Sequence, residues 1–138
     1  MMTTLFVLAF AAALQGAAPP PTPLARSAMS GVDEPRQMVA RTEAEWLSLW
    51  RLHAGDKPAP AVDLATSTVV AVFLGTRMSG GFAVDIRGTR RQGDALVVEW
   101  SERRPGRDEV AAQVITSPAA IAAIPRFTGE IRFEKVDR

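Results

Sequence analysis

Residues 68–75 read Thr-Val-Val-Ala-Val-Phe-Leu-Gly, a short, unbroken, β-branched and apolar run closed by a glycine. Such a run suits a strand buried on both faces and central in its sheet. Beyond it, Phe82, Val84 and Ile86 alternate with Ala83, Asp85 and Arg87, the period of a strand with one apolar and one polar face. Arg90-Arg91-Gln92-Gly93-Asp94 reads as a turn, and Leu96, Val98 and Trp100 resume the alternation until Arg103-Arg104-Pro105-Gly106-Arg107 breaks it. A further strand is expected over residues 109–116 and a last one over 130–136. Ser117-Pro118, a capping residue followed by proline at the first helical position, predicts one or two helical turns over 119–124.

Upstream of the apolar run, Thr42-Glu43-Ala44-Glu45 has the form of a capping box, so a helix should begin there and end at Gly55. Trp46, Leu49, Trp50 and His53 recur at spacings of three and four, forming one apolar stripe that docks on a sheet. The pattern predicts an α+β fold in a small single domain. One N-terminal amphipathic helix would pack on a mainly antiparallel, meandering sheet of four to five strands. A parallel sheet would need long crossovers, and only residues 117–124 offer a helix between strands.

The chain has 138 residues, enough for one core, and a formal net charge of +1, which gives no global field for nucleic acid. Cysteine is absent, which removes disulfides, thiolate metal sites and a thiol nucleophile. Residues 5–14, Leu-Phe-Val-Leu-Ala-Phe-Ala-Ala-Ala-Leu, have the length of the central region of a secretory signal, and Gly16-Ala17-Ala18 suits cleavage after Ala18. The uncharged stretch would cover roughly 24 Å as a helix, short of the ~30 Å hydrocarbon layer, before Pro19-Pro20-Pro21 stops it. Residues 1–18 are therefore expected to be a signal peptide and the mature protein to be exported, periplasmic or secreted, with no membrane span. Residues 19–35, rich in Pro, Ser and Ala, read as a flexible spacer, which leaves 36–138 as the folded body.

The landmarks fall in an order that resembles a known family. Trp46-x-x-Leu49-Trp50-x-x-His53 and Val62-Asp63-Leu64 come first, and the strand ending in Gly75-Thr76-Arg77-x-Ser79-Gly80-Gly81-Phe82 follows. With Val114-Ile115-Thr116-Ser117-Pro118 and Ile124-Pro125-Arg126, they are similar to the C-terminal domain of the protease complex subunit PrcB family. The resemblance implies an accessory, non-proteolytic role in the assembly or maturation of a protein partner, an exported protease in its sharpest form. It brings no catalytic residues. Many relatives carry Tyr where Phe82 stands, and lipid anchoring through cysteine is impossible here.

The segment that invites a site is Arg77-Met78-Ser79-Gly80-Gly81-Phe82. Its glycines permit left-handed backbone and close approach, while clustered amides and the Arg77 guanidinium suit a carboxylate or peptide carbonyl. The candidate binding residues are thus Arg77, Ser79, Gly80, Gly81 and Phe82; the competing reading is an ordinary tight connection between strands. No catalytic residue, metal ligand or cofactor is expected. The alternatives kept open are a small hydrolase, in which His53 would need Ser79 or Ser101 with Asp63 or Asp85, and a ligand site between the Trp helix and the sheet. Arg90-Arg91 and Arg103-Arg104-x-x-Arg107 would form a cationic rim if their turns share one end of the sheet. The sequence sets no oligomeric state.

Overall fold

A computed structural model describes residues 18–137. Seven strands and one helix run β1 (Thr22–Ser27), β2 (Arg36–Ala40), α1 (Glu43–Ala54), β3 (Ser67–Phe73), β4 (Ala83–Gln92), β5 (Ala95–Arg103), β6 (Ala119–Pro125) and β7 (Ile131–Lys135). They make two sheets, one ordered β1-β6-β3-β2 and the other β4-β5-β7. The expected signal segment lies outside the described residues, except for Ala18.

The apolar run becomes β3, which lies inside the four-stranded sheet between β2 and β6. Its pleat serves two cores. Val69, Ala71 and Phe73 pack with Trp46 and Leu49 of α1 and with Ile121 of β6. On the opposite face Val70 meets Leu96 and Val98, and Val72 meets Val84 and Trp100, all from the second sheet. The layers are therefore helix, sheet, sheet, and the expectation of a strand buried on both faces holds.

The helix starts and stops where expected. The Thr42 hydroxyl accepts from the Glu45 amide at 3.1 Å, but the Glu45 carboxylate accepts from the Arg41 amide instead of closing the box on Thr42. Gly55, at φ 63°, ends the helix and donates to the Arg51 carbonyl. The helix is short and third in chain order, with Leu47 and Leu52 exposed, so it is not the clearly amphipathic N-terminal element expected.

Four further expectations give way. Residues 119–124 are strand, not helix: six residues cannot repay helix nucleation, whereas β6 pairs with β1 on one side and β3 on the other. Residues 109–116 form no strand; only Thr116 bridges Arg77, and the rest is loop. The sheet is not a meander, because the chain leaves β5, crosses to β6 in the other sheet and returns as β7, which pairs parallel with β5. Within the spacer, residues 22–27 form β1, an edge strand antiparallel to β6, which adds strands beyond the four or five expected.

β1 brings Leu24 and Ala25 against the helix-side core. Removal of residues 1–27 is expected to lower unfolding stability in urea by about 2 kcal/mol or more, the order of one buried leucine, whereas removal of 1–18 leaves it unchanged. Equal stability of the two truncated chains would show that β1 contributes nothing to the fold.

Candidate functional site

The 75–82 segment does not turn directly from β3 into β4. It runs out to meet the long 104–118 connection, where Arg77 and Thr116 exchange both backbone hydrogen bonds, at 2.8 and 2.9 Å. The Thr116 hydroxyl donates to the Ser79 carbonyl at 2.9 Å, and the Gly80 amide donates to the Ala112 carbonyl at 2.9 Å. The Ser79 hydroxyl donates to the Gly80 carbonyl. Gly81, at φ +89°, is the glycine the bend requires: a Cβ there would lie 2.9 Å from that of Pro105. At Gly80 φ is not positive, and a Cβ would meet the Ala112 side chain at 3.5 Å, ordinary contact.

Arg77 is not free to receive a partner's carboxylate. Its Nε and Nη2 donate to Glu102 Oε1 at 3.2 and 3.0 Å, and its Nη1 donates to the carbonyls of Leu74 and Thr76. The guanidinium also lies over the Phe82 ring, 5.6 Å from its centroid. Glu102, with only 2% of its side chain exposed, takes a second contact from Lys135 at 2.9 Å and a third from Arg104 at 3.6 Å. Burial pushes the Glu102 carboxyl up, but hydrogen bonds and charge from Lys135 and Arg77 outweigh it and hold the group below the usual carboxylate range. Glu102, Arg104, Lys135, Val136 and Asp137 line an open depression of about 620 Å³ beside this cluster. The structure thus gathers Arg77, Ser79, Gly80, Gly81 and Phe82 into one loop, and Arg77 serves to hold it.

His53 is not near the serines considered for it. It sits 6% exposed on the buried face of the last turn of α1, with ring contacts to Trp50 and Phe73 at centroid distances of 5.3 and 6.1 Å. Ser79 belongs to the loop just described, and Ser101 is buried in β5 of the other sheet. The hydrogen-bonding neighbour of His53 is Ser30, whose Oγ lies 2.8 Å from Nδ1 and accepts from the Val32 amide. Burial, helped by the charge of Lys57, lowers the imidazole pKa, which favours the neutral ring, and Nδ1 and the serine Oγ share a hydrogen bond whose direction the tautomer sets. The dyad fastens residues 28–33 to the helix, reinforced by the Gly31 amide donating to the His53 carbonyl.

The space between helix and sheet is filled. Trp46 and Trp50 donate from their indole nitrogens to the carbonyls of Pro60 and Lys57, pinning the loop after α1. The expected cationic rim is divided. Arg91 pairs with Leu96 near the hairpin turn and Arg103 with Ala83 at the opposite end, so roughly 20 Å of strand separates the two groups. Arg90 and Arg91 are strand residues, Arg90 paired with Glu99 and Glu134, and Arg91 over the Phe127 ring. Among the described residues no group of three or more His, Cys, Asp or Glu side chains could hold a metal ion, and no helix is long and apolar enough to cross a membrane.

What sequence reasoning missed is apolar. Met78, inside the candidate loop, is 75% exposed, Ile115 is 58% exposed, and Met29, in the expected spacer, is 65% exposed. No local signal marks them, because an isolated Met or Ile reads as core.

The fold is a two-sheet α+β domain backed by one helix, with a loop clamped at one end of the sheets. Residues 68–125 match the family model described as PrcB C-terminal, and the resemblance noted in the sequence holds over that segment. The match runs from β3 through β6, so it takes in the whole loop and leaves out the Trp helix. The comparisons with curated proteins and with solved structures gave no match.

Two outcomes are expected. Gly81→Ala, which meets both a left-handed backbone and Pro105, should cost on the order of 1–3 kcal/mol in urea unfolding, against little change for Gly80→Ala; equal effects would refute this account of the bend. Because folding depresses the His53 pKa, the unfolded chain binds more protons once pH falls below the ordinary histidine value of 6.5. Stability should be full above that pH and decline as it falls toward 5, a range above the titration of Glu102. In His53→Gln the decline between pH 7 and 5 should be shallower than in wild type.

Proposed function

We propose that this chain is an exported, non-enzymatic protein-binding module, an accessory subunit to a protease complex that acts in the assembly, maturation or regulation of its partner. The contact is made through the 77–82 loop. The observation that carries this reading is the way the loop is built. Its backbone is bonded to residues 112 and 116, its arginine is held by the nearly buried Glu102, and Met78 is left in water at its apex. A loop fixed in this way loses little conformational entropy on binding, the condition under which a small surface gains affinity. The PrcB C-terminal match, which spans this loop, supports an accessory role toward a protease complex. The apolar stretch at residues 5–14 supports export.

The roles within the loop differ. Arg77, Gly80, Gly81 and Phe82 set its shape, Ser79 offers its carbonyl to Thr116, and Met78 makes the contact. The test is chemical crosslinking of the affinity-tagged full chain in its source cells, with the captured proteins identified by mass spectrometry. A component of an exported protease complex should be retained by wild type and lost in Met78→Asp, whose unfolding midpoint should stay that of wild type. Wild-type capture of no such component would overturn the proposal.

A further inference from the structure

Three segments far apart in sequence meet at the clamped end of the molecule. Residues 28–30 lie parallel to 116–117: the Ser117 amide donates to the Ala28 carbonyl at 2.8 Å, and the Ser30 amide to the Ser117 carbonyl at 2.9 Å. The other side of the same segment pairs antiparallel with Arg77. The result is a three-stranded patch, one or two residues deep, in which the pleat decides what faces water. Arg77, Thr116 and Ser30 point inward, to Glu102, to the Ser79 carbonyl and to His53. One position away on each segment, Met78, Ile115 and Met29 take the outer face, and all three are more than half exposed.

Carboxylates flank this apolar row. The Ser117 hydroxyl donates to Asp33 Oδ1 at 3.2 Å, and the Thr76 amide and hydroxyl both donate to the Asp33 carbonyl, which holds the 33–34 bend against the patch. Asp33 and Glu34 are exposed, and no cation forms an ion pair with either among the described residues. Arg77 is engaged with Glu102 on the inner face and Arg26 with Asp85, while Arg36, two residues beyond Glu34, is exposed and outside these ion pairs, so the bend from Asp33 to Arg36 carries a formal charge of about −1 beside the row.

We infer that the Met29–Met78–Ile115 row with Asp33 and Glu34 is a docking surface for a segment of the partner protein in which apolar side chains alternate with Lys or Arg. This rests on the binding-module reading and names the chemistry of its partner. Two of the three apolar groups are methionines, unbranched and polarizable, which suits a surface that adapts to the side chains laid on it. The carboxylates set the sign of the flanking charge and the register of the segment.

The inference is tested with the full chain and three fluorescein-labelled twelve-residue peptides of alternating Leu and Lys, Leu and Glu, and Ser and Lys, followed by fluorescence polarization. The Leu/Lys peptide should bind saturably, and the other two should not. Met29→Glu and Ile115→Glu should each weaken it about tenfold or more, and Glu34→Lys should weaken it and reduce its salt dependence, with unfolding midpoints unchanged in all three. Equal binding of the Leu/Glu peptide, or Leu/Lys binding that Met29→Glu leaves intact, would overturn the inference. So would a wild-type dimer in sedimentation that Met29→Glu dissociates, since the occupant would then be a second copy. Crosslinked capture of a protease component that is lost in Met78→Asp but kept in Met29→Glu would overturn this surface and leave the proposed function standing.

Discussion

The architecture depends on one strand being apolar on both sides. β3 contributes Val69, Ala71 and Phe73 to the helix-side core and Val70 and Val72 to the cores between the sheets. A strand of this kind cannot lie at a surface, so it demands a layer on each face and a partner on each edge. The helix supplies one layer and the β4–β5–β7 sheet the other, while β2 and β6 satisfy its edges. β6 answers the same demand with small side chains. Ala119 packs toward the helix, and Ala120 and Ala122 toward the second sheet, where larger residues would hold the layers apart.

What was legible in the sequence follows from how local each cause was. The β3 run, the Thr42 cap and the Gly55 stop are set by neighbours within a few residues, and they stand in the structure. β6 was misread because Ser117-Pro118 has the form of a helix start, while the choice here is made by β1 and β3, which lie far away in the chain. β1 was missed for a related reason. Pro19-Pro20-Pro21 and the lack of an alternating apolar period resemble a spacer, yet an edge strand needs to bury only Leu24 and Ala25, and it absorbs Pro23 at an irregularity in register. The parallel pairing of β7 had no local sign, since its crossover is β6 itself.

The candidate loop was legible as a place and not as a device. Gly80-Gly81 with Arg77 pointed to the right segment, but the roles assigned to those residues presumed free amides and a free guanidinium. The Ala112 carbonyl takes the Gly80 amide, and the buried Glu102 takes the guanidinium. A carboxylate held out of water must be surrounded by donors, and Arg77, Lys135 and Arg104 are drawn to it from three segments. Arg77 is thereby spent within the molecule, with the loop carried out to the 104–118 connection. The alternation puts Glu102 on the face of Leu96, Val98 and Trp100, but it names no partner, because Arg77, Arg104 and Lys135 reach the carboxylate from outside the strand.

The same register that turns Arg77, Thr116 and Ser30 inward turns Met78, Ile115 and Met29 outward, so the two faces of the patch share one cause. The inward groups cannot exchange places with the outward ones: a one-residue slip would put methionine against Glu102 and leave an arginine and a serine in water. The ion cluster on one side and the Ser30–His53 dyad on the other therefore fix the register from both flanks. Exposing three large apolar groups works against solubility, and a chain free to relieve it would let these loops collapse onto them. Here the collapse is blocked, because the bonds that hold the loops are made by the opposite face, and the apolar row stays in water until something outside the chain covers it.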